Sequence, residues 1–331
     1  MMKIDTATFS AKLRAKSIDL QNRKLLVTNY IGSDQEKDLT APADCKGFGR
    51  IRHFRRRTNP GWPENPLPID PAAAKLGIPP EDMLLAQVFQ NASCNWRCWY
   101  CYVPFNLLGA NEKRAAWLSC GELLDLYQAE SKPPRVIDLS GGQPDLTPEW
   151  VPWMMKELQH RDLAESTYLW SDDNLSNDYF WRYLCAEDIS LIRGYRNYGK
   201  VCCFKGFNAV SFSFNTAAEP DLFAQQLSLF RRYVELGIDL YAYATFTTPD
   251  ASNIQADMSR FIDDLQSISL NLPLRVIPLE IQSFAAMQNR VGDEQKRAMQ
   301  NQWSAIECWK LELNRRFKES ERKQRICDVP L

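Results

Sequence analysis

From residue 83 onward, short apolar and β-branched runs alternate with longer amphipathic stretches. The short runs cover 84–89, 135–139, 167–170, 209–214, 240–246 and 275–281. Six such strands separated by helices predict a parallel sheet built from right-handed crossovers. The count suits an α/β fold of the partial (β/α)6 TIM-like barrel kind. Helix signals agree with this division. Ser119 followed three residues later by Glu122 forms a capping box, and Thr147-Pro148 places a capping hydroxyl before a proline at the first helical position. Phe223, Leu227, Phe230 and Val234 recur at helical spacing and are expected to face the sheet.

The first eighty residues follow a different pattern. Five arginines lie between Arg50 and Arg57, and Asn59-Pro60-Gly61-Trp62-Pro63 opens a proline-rich stretch. Prolines at this density lack ladder donors and break helices, so residues 1–80 are expected as an N-terminal extension. Residues 81–285 then form the core. Residues 286–331 form a C-terminal helical segment, with a charged helix expected around Trp303 to Lys323.

With 331 residues, 45% hydrophobic and 24% charged, the chain is long enough to bury a sizeable core. A net charge of -1 gives it no global field that would select nucleic acid or an anionic membrane. No apolar run approaches the roughly 20 residues of a bilayer span. Ten cysteines and the absence of a charged-then-apolar signal at Met1-Met2-Lys3-Ile4-Asp5 point to a reducing, cytoplasmic setting.

The chemistry concentrates in Cys94-Asn95-Trp96-Arg97-Cys98-Trp99-Tyr100-Cys101. Three thiolates at C-x3-C-x2-C spacing can hold three irons of a cubane and leave the fourth open. One β-α-β unit later comes Ser140-Gly141-Gly142-Gln143-Pro144. Both loops follow strands, at the sheet end where α/β proteins bind ligands. Two other uses of the cysteines stay open: a zinc site completed by a histidine or a distant cysteine, and a simple electron-carrying, redox-sensing or scaffold module. Against zinc stand only two histidines, His53 and His160, and the lack of a second C-x2-C pair.

These motifs resemble those of the radical S-adenosylmethionine superfamily over roughly residues 83–281. The cysteine loop matches the cluster motif, and Gly141-Gly142-Gln143-Pro144 is similar to that family's Gly-Gly-Glu-Pro. The resemblance implies a [4Fe-4S] cluster on Cys94, Cys98 and Cys101, with S-adenosylmethionine bound through its amine and carboxylate to the open iron. It also implies reductive cleavage of that cofactor to a 5′-deoxyadenosyl radical and hydrogen abstraction from a substrate.

By the same resemblance, Tyr100 contacts the adenine, and the backbone of Gly141 and Gly142 approaches the cofactor's ammonium. Gln143 departs from Glu and brings no charge, which implies weaker holding. Asp172, Asn174, Ser213 and Asn215, expected at the ends of the third and fourth strands, are candidates for the ribose and carboxylate. Lys205 is a candidate for neutralising the carboxylate, and the backbone near Pro278 for lining the adenine. A flavodoxin or ferredoxin is the implied electron donor. The resemblance leans toward organic-radical-activating enzymes, which act on a protein glycine, while a peptide, small molecule or RNA stays open as substrate. The Arg50–Arg57 run is enough to bind an anion by bidentate contacts, and it also suits a solvated strand or arginines paired with acids. Cys202 and Cys203 are expected to be structural, leaving a single cluster.

Overall fold

The computed structural model describes residues 3–331; Met1 and Met2, where the stretch read as lacking a signal begins, lie outside the described residues. Ten strands follow in chain order: β1 (Ile18–Asp19), β2 (Lys24–Thr28), β3 (Gly49–Arg55), β4 (Met83–Phe89), β5 (Ala115–Ser119), β6 (Val136–Leu139), β7 (Tyr168–Asp173), β8 (Tyr198–Phe204), β9 (Leu240–Thr245) and β10 (Val276–Leu279). Strands β1, β2 and β5 make a small antiparallel sheet. The other seven form a curled sheet in the order β10-β9-β8-β7-β6-β4-β3. Every pair from β4 to β10 is parallel. Along the other edge, β3 runs antiparallel to β4, from Gly49 opposite Phe89 to Arg55 opposite Met83. The arginine run expected in an extension therefore lines one edge of the main sheet.

One expected strand is misplaced. Residues 209–214 are helical, within the helix Ala209–Thr216, and the fourth parallel strand is β8. The alternation of Val210, Phe212 and Phe214 imitates a strand, but Asn208 and Ser211 form a capping box that starts a helix. Val210 is 65% exposed and Phe212 fully buried, as one turn of an amphipathic helix requires. Strand β8 escapes notice because Gly199 and the buried Lys200 interrupt its apolar run. A Cβ on Gly199 would come within 2.2 Å of the Tyr168 hydroxyl and 2.8 Å of the Trp170 ring, so packing against β7 demands glycine there.

The concave face of the sheet has an apolar floor of Phe54, Ala86, Val136, Trp170, Val201 and Tyr241, closed below by Leu67, Ile69, Ala72 and Ile326. Helices cover the convex face, where Phe223 and Phe230 are buried and Leu227 and Val234 partly so, as their spacing predicts. The Ser119–Glu122 capping box forms. The C-terminal helix runs Asp293–Arg316, starting earlier than expected, and a short helix Glu319–Arg322 follows. No helix among the described residues is long and apolar enough to cross a membrane.

Toward the carboxyl ends of the strands the concave face turns polar. Asp138 on β6, fully buried, accepts from Arg52 Nη1 at 3.2 Å. Asp172 on β7 accepts from the Ser140 hydroxyl at 2.5 Å. Burial, and then the neighbouring Asp172, push the Asp138 carboxyl up to about 7, with Arg52 and Arg50 pulling it down. The folded protein thus keeps this proton to higher pH than the unfolded chain does. Its stabilising share is complete below the ordinary carboxylate range near pH 4 and lost as pH rises through 7. Thermal unfolding of the wild type should show stability falling between pH 5 and 8, and Asp138→Asn should flatten that slope; an unchanged slope would contradict the assignment.

Candidate metal centre

The cysteine loop leaves the end of β4 and is pinned from several directions. Cys94 N–H donates to Leu108 O at 3.1 Å, Arg97 N–H to Thr216 O at 3.1 Å and Trp99 N–H to Asn215 O at 3.2 Å. Asn95 Nδ2 donates to the hydroxyls of Ser10 (2.8 Å) and Ser176 (2.7 Å), and Trp96 Nε1 to Thr6 Oγ1 at 3.1 Å. The N-terminal helix Thr6–Arg14 thus holds the loop from one side. Arg290 holds it from the other, donating to Cys101 O at 2.8 Å and Val103 O at 3.0 Å. A loop with this many partners is organised before any ligand arrives.

Cys94 and Cys98 are buried and Cys101 is partly so. Burial pushes the Cys98 thiol up to about 12, against the pull of Lys205, and raises Cys101 as well. Thiols so placed keep their protons unless a cation replaces them. Among the described residues no three His, Cys, Asp or Glu side chains converge on one point as a single metal ion would require. A cubane makes a different demand, taking each thiolate on a separate iron.

The glycine loop closes against this one. Gly141 and Gly142 have φ of 80° and 62°. A Cβ on Gly142 would sit 2.3 Å from Asn91 O and 2.5 Å from Ser93 O, two backbone atoms that cannot yield. Gln143 N–H donates to Ser93 O at 2.7 Å, and Pro144 begins a short helical turn. The Gln143 side chain is committed within the protein: its Nε2 donates to Asp173 Oδ1 at 2.7 Å and its Oε1 accepts the Asn174 N–H at 2.9 Å. Asn174 Nδ2 in turn points at Cys94 Sγ, 3.9 Å away.

Behind both loops lies a buried cation that sequence reasoning missed. Lys200 Nζ sits 2.9 and 2.8 Å from the two oxygens of Asp145 and 3.7 Å from Asp173 Oδ2, with about 1% of its side chain exposed. Tyr233 adds its hydroxyl to Asp145 at 2.6 Å. Burial and Asp173 push the Asp145 carboxyl up to about 7, with Lys200 opposing them. The interrupted apolar run of β8 was the one available signal, since a lysine inside a buried strand needs an acid.

The remaining candidates divide. Tyr100 is buried and shares a hydrogen bond with Thr245 Oγ1 at 3.1 Å. Lys205, two residues past Cys203 on the same turn out of β8, has no ion pair or hydrogen bond to its ammonium among the described residues. Burial opposes its charge, while Cys203, Tyr100, Cys98 and Cys101 lie near enough to favour it once they are ionised. Asn215 is fully buried and all its polar atoms are engaged, donating to Lys205 O (2.9 Å) and Thr247 O (3.1 Å) and accepting from Trp99 Nε1 (3.0 Å) and Thr247 Oγ1 (2.8 Å). It braces the cysteine loop from a helix and not from a strand end. Ser213, on the same helix, donates to Ala218 O at 2.6 Å and accepts from Lys3. Asp172 faces Ser140 and the concave interior.

No family model matches the chain, and no curated protein matches it. Similar solved structures include Streptococcus suis SuiB bound to the precursor peptide SuiA, 13% identical over 54% of this chain and 36% of that one, at a TM-score of 0.37. SuiB bound to S-adenosylmethionine is 12% identical over 56% and 39%, at 0.39. The chain thus spans well under half the length of SuiB, and a likeness this slight carries no argument about its fold or chemistry.

Two outcomes follow from the geometry. Replacing Lys200 with Met strands two buried carboxylates and should cost about 3–5 kcal/mol in denaturant unfolding at pH 8; a loss below about 1 kcal/mol would contradict the bracing role. Gln143→Glu sets a second carboxylate against Asp173, so its melting temperature should fall at pH 8 and recover toward pH 5; a melting temperature equal to wild type at pH 8 would show that the Gln143–Asp173 contact carries no weight.

Proposed function

We propose that the chain is a radical S-adenosylmethionine enzyme built on a partial (β/α)6 barrel spanning residues 81–285. The observation that carries the reading is the meeting of three features at the carboxyl ends of the strands. A pinned loop offers Cys94, Cys98 and Cys101; Gly142 packs against the carbonyls of Asn91 and Ser93 just before that loop, with Gly141 against Gln90; and Lys205, whose ammonium has no partner among the described residues, lies near the cysteines.

In this reading the three thiolates hold a [4Fe-4S] cluster. When bound, the cluster supplies one electron that splits S-adenosylmethionine into methionine and a 5′-deoxyadenosyl radical, which takes a hydrogen atom from the substrate. The chain's own residues position and protect. Lys205 pairs with the cofactor's carboxylate. Gly141 and Gly142, lacking side chains, let the cofactor's ammonium reach the backbone. Tyr100 presents a buried aromatic face to the adenine. Gln143 and Asn215 act at one remove, holding Asn174 and Trp99 in place. Trp99, in edge contact with Tyr100 at 5.5 Å, excludes water from the thiols. A flavodoxin or ferredoxin in a reducing cytoplasm is the fitting electron source.

The test is anaerobic reconstitution with iron and sulfide, reduction by dithionite, and quantitation of 5′-deoxyadenosine. The wild type should release it, and Cys98→Ala should lose both the cluster and at least 100-fold of the product. A full complement of iron with no deoxyadenosine under several reductants, or an undiminished Cys98→Ala, would refute the reading.

A further inference from the structure

The curled sheet does not close. Between its edge strands β3 and β10 lies a cavity of about 440 Å³, whose walls include Arg50, Arg52, Trp62, Tyr102, Asn65 and Glu280. The segment after β3 spans the gap at one point, where Trp62 Nε1 donates to Pro278 O at 3.1 Å.

The charge on its walls is unbalanced. Arg50 is 6% exposed, yet no carboxylate among the described residues lies within 4 Å to pair with it. Its Nη2 donates to the Tyr102 hydroxyl at 3.2 Å, and its Nε has no partner. Arg52, two residues along on the same face, has a single ion-pair contact, to Asp138 at 3.2 Å, and lies 4.1 Å from the Phe54 ring centroid. Asp138 is itself shared with the field of Asp172. Two carboxylates also line the cavity, Glu280 accepting from Thr58 and Asn59 and Asp38 accepting the Ala285 N–H at 3.0 Å, and neither pairs with Arg50 or Arg52. A buried guanidinium without a counter-charge is costly, and a ligand oxyanion is the group that would relieve it.

We propose that this opening is an oxyanion subsite for a small-molecule substrate, in which Arg50 and Arg52 together grip a carboxylate or phosphate. The name substrate rests on the enzyme reading above; the anion site itself does not. Its position suits the role, because Tyr102 directly follows Cys101, so the anion is gripped beside the cysteine loop and the rest of the molecule extends over it. A cavity of this size holds a small metabolite, whereas a folded protein segment or an RNA would need a wider mouth. His53, with its Nδ1 2.7 Å from Thr40 Oγ1, stands on the same wall and is engaged locally.

Calorimetric titration of the full-length chain, as purified, with inorganic pyrophosphate and separately with succinate tests this and tells the two oxyanion sources apart. The wild type should bind at least one of them, with affinity falling as salt rises. Arg50→Gln should weaken that binding at least tenfold, and so should the double variant Arg52→Gln/Asp138→Asn, which removes the paired acid together with the arginine. Arg57→Gln, an exposed arginine of the same run paired with Glu64, should change it less than twofold. Arg50→Lys, which keeps the charge but loses the fork, should fall between wild type and Arg50→Gln. Should Arg50→Gln fail to fold, the double variant decides alone. Absence of millimolar binding to either anion, or equal binding by the wild type and the double variant, would overturn the subsite, as would an equal loss in Arg57→Gln. Assaying 5′-deoxyadenosine in the wild type separates the two ideas: anion binding that depends on Arg50 and Arg52 without cofactor cleavage refutes the enzyme reading alone, and cofactor cleavage without anion binding overturns the subsite alone.

Discussion

A single buried ammonium organises the part of the molecule on which the chemistry depends. Lys200 enters from β8, draws Asp145 from the turn after the glycine loop and faces Asp173 at the end of β7. Asp173 orients Gln143, Gln143 captures the Asn174 N–H, and Asn174 leans on Cys94. The chain of contacts runs from the convex side of the sheet to the first cysteine without passing through solvent. Such a network is worth having only if complete, since each unpaired member would be a buried polar group in a low dielectric. The Asp173 carboxylate explains Gln143. A glutamate there would meet Asp173 with like charge, while an amide donates to the carboxylate and still accepts from the backbone.

The concave face repeats the theme with the opposite balance. On the convex side one lysine serves two acids, so negative charge is in excess and burial raises the Asp145 carboxyl. On the concave side Arg52 pairs with Asp138, Arg50 meets only the Tyr102 hydroxyl, and among the described residues Lys205 has no ion pair. Arg50 and Lys205 are thus left without a paired acid where the strand ends converge. The first region holds the loops still, and the second is prepared to receive anions.

Much of this was legible in the sequence, and the failures have physical causes. Five of the six expected strands lie where apolar runs place them, because strands buried on both faces read as continuous β-branched and aromatic segments. The misplaced one shows the limit of pattern: Val210, Phe212 and Phe214 alternate as a strand would, and only the cap at Asn208 and Ser211 reveals the helix. The true strand hides behind Gly199 and Lys200, a close contact and a buried charge that become meaningful only once Trp170 and Asp145 are seen beside them. The cysteine and glycine loops could be read because their chemistry is local in sequence. The Arg50–Arg57 run was legible as an anion-binding candidate, but its cavity and the Lys200 network were not, because their other members come from separate strands and turns and no spacing announces them.

The central claim is that three cysteines on a braced loop leave one iron of a cluster open to S-adenosylmethionine. The most direct measurement is the electron paramagnetic resonance spectrum of the reduced, reconstituted protein before and after addition of S-adenosylmethionine. A cluster with an open iron should change its g values and line shape when the cofactor's amine and carboxylate bind, and should do so saturably. An identical spectrum at saturating S-adenosylmethionine, from a protein with its full iron content, would contradict the account.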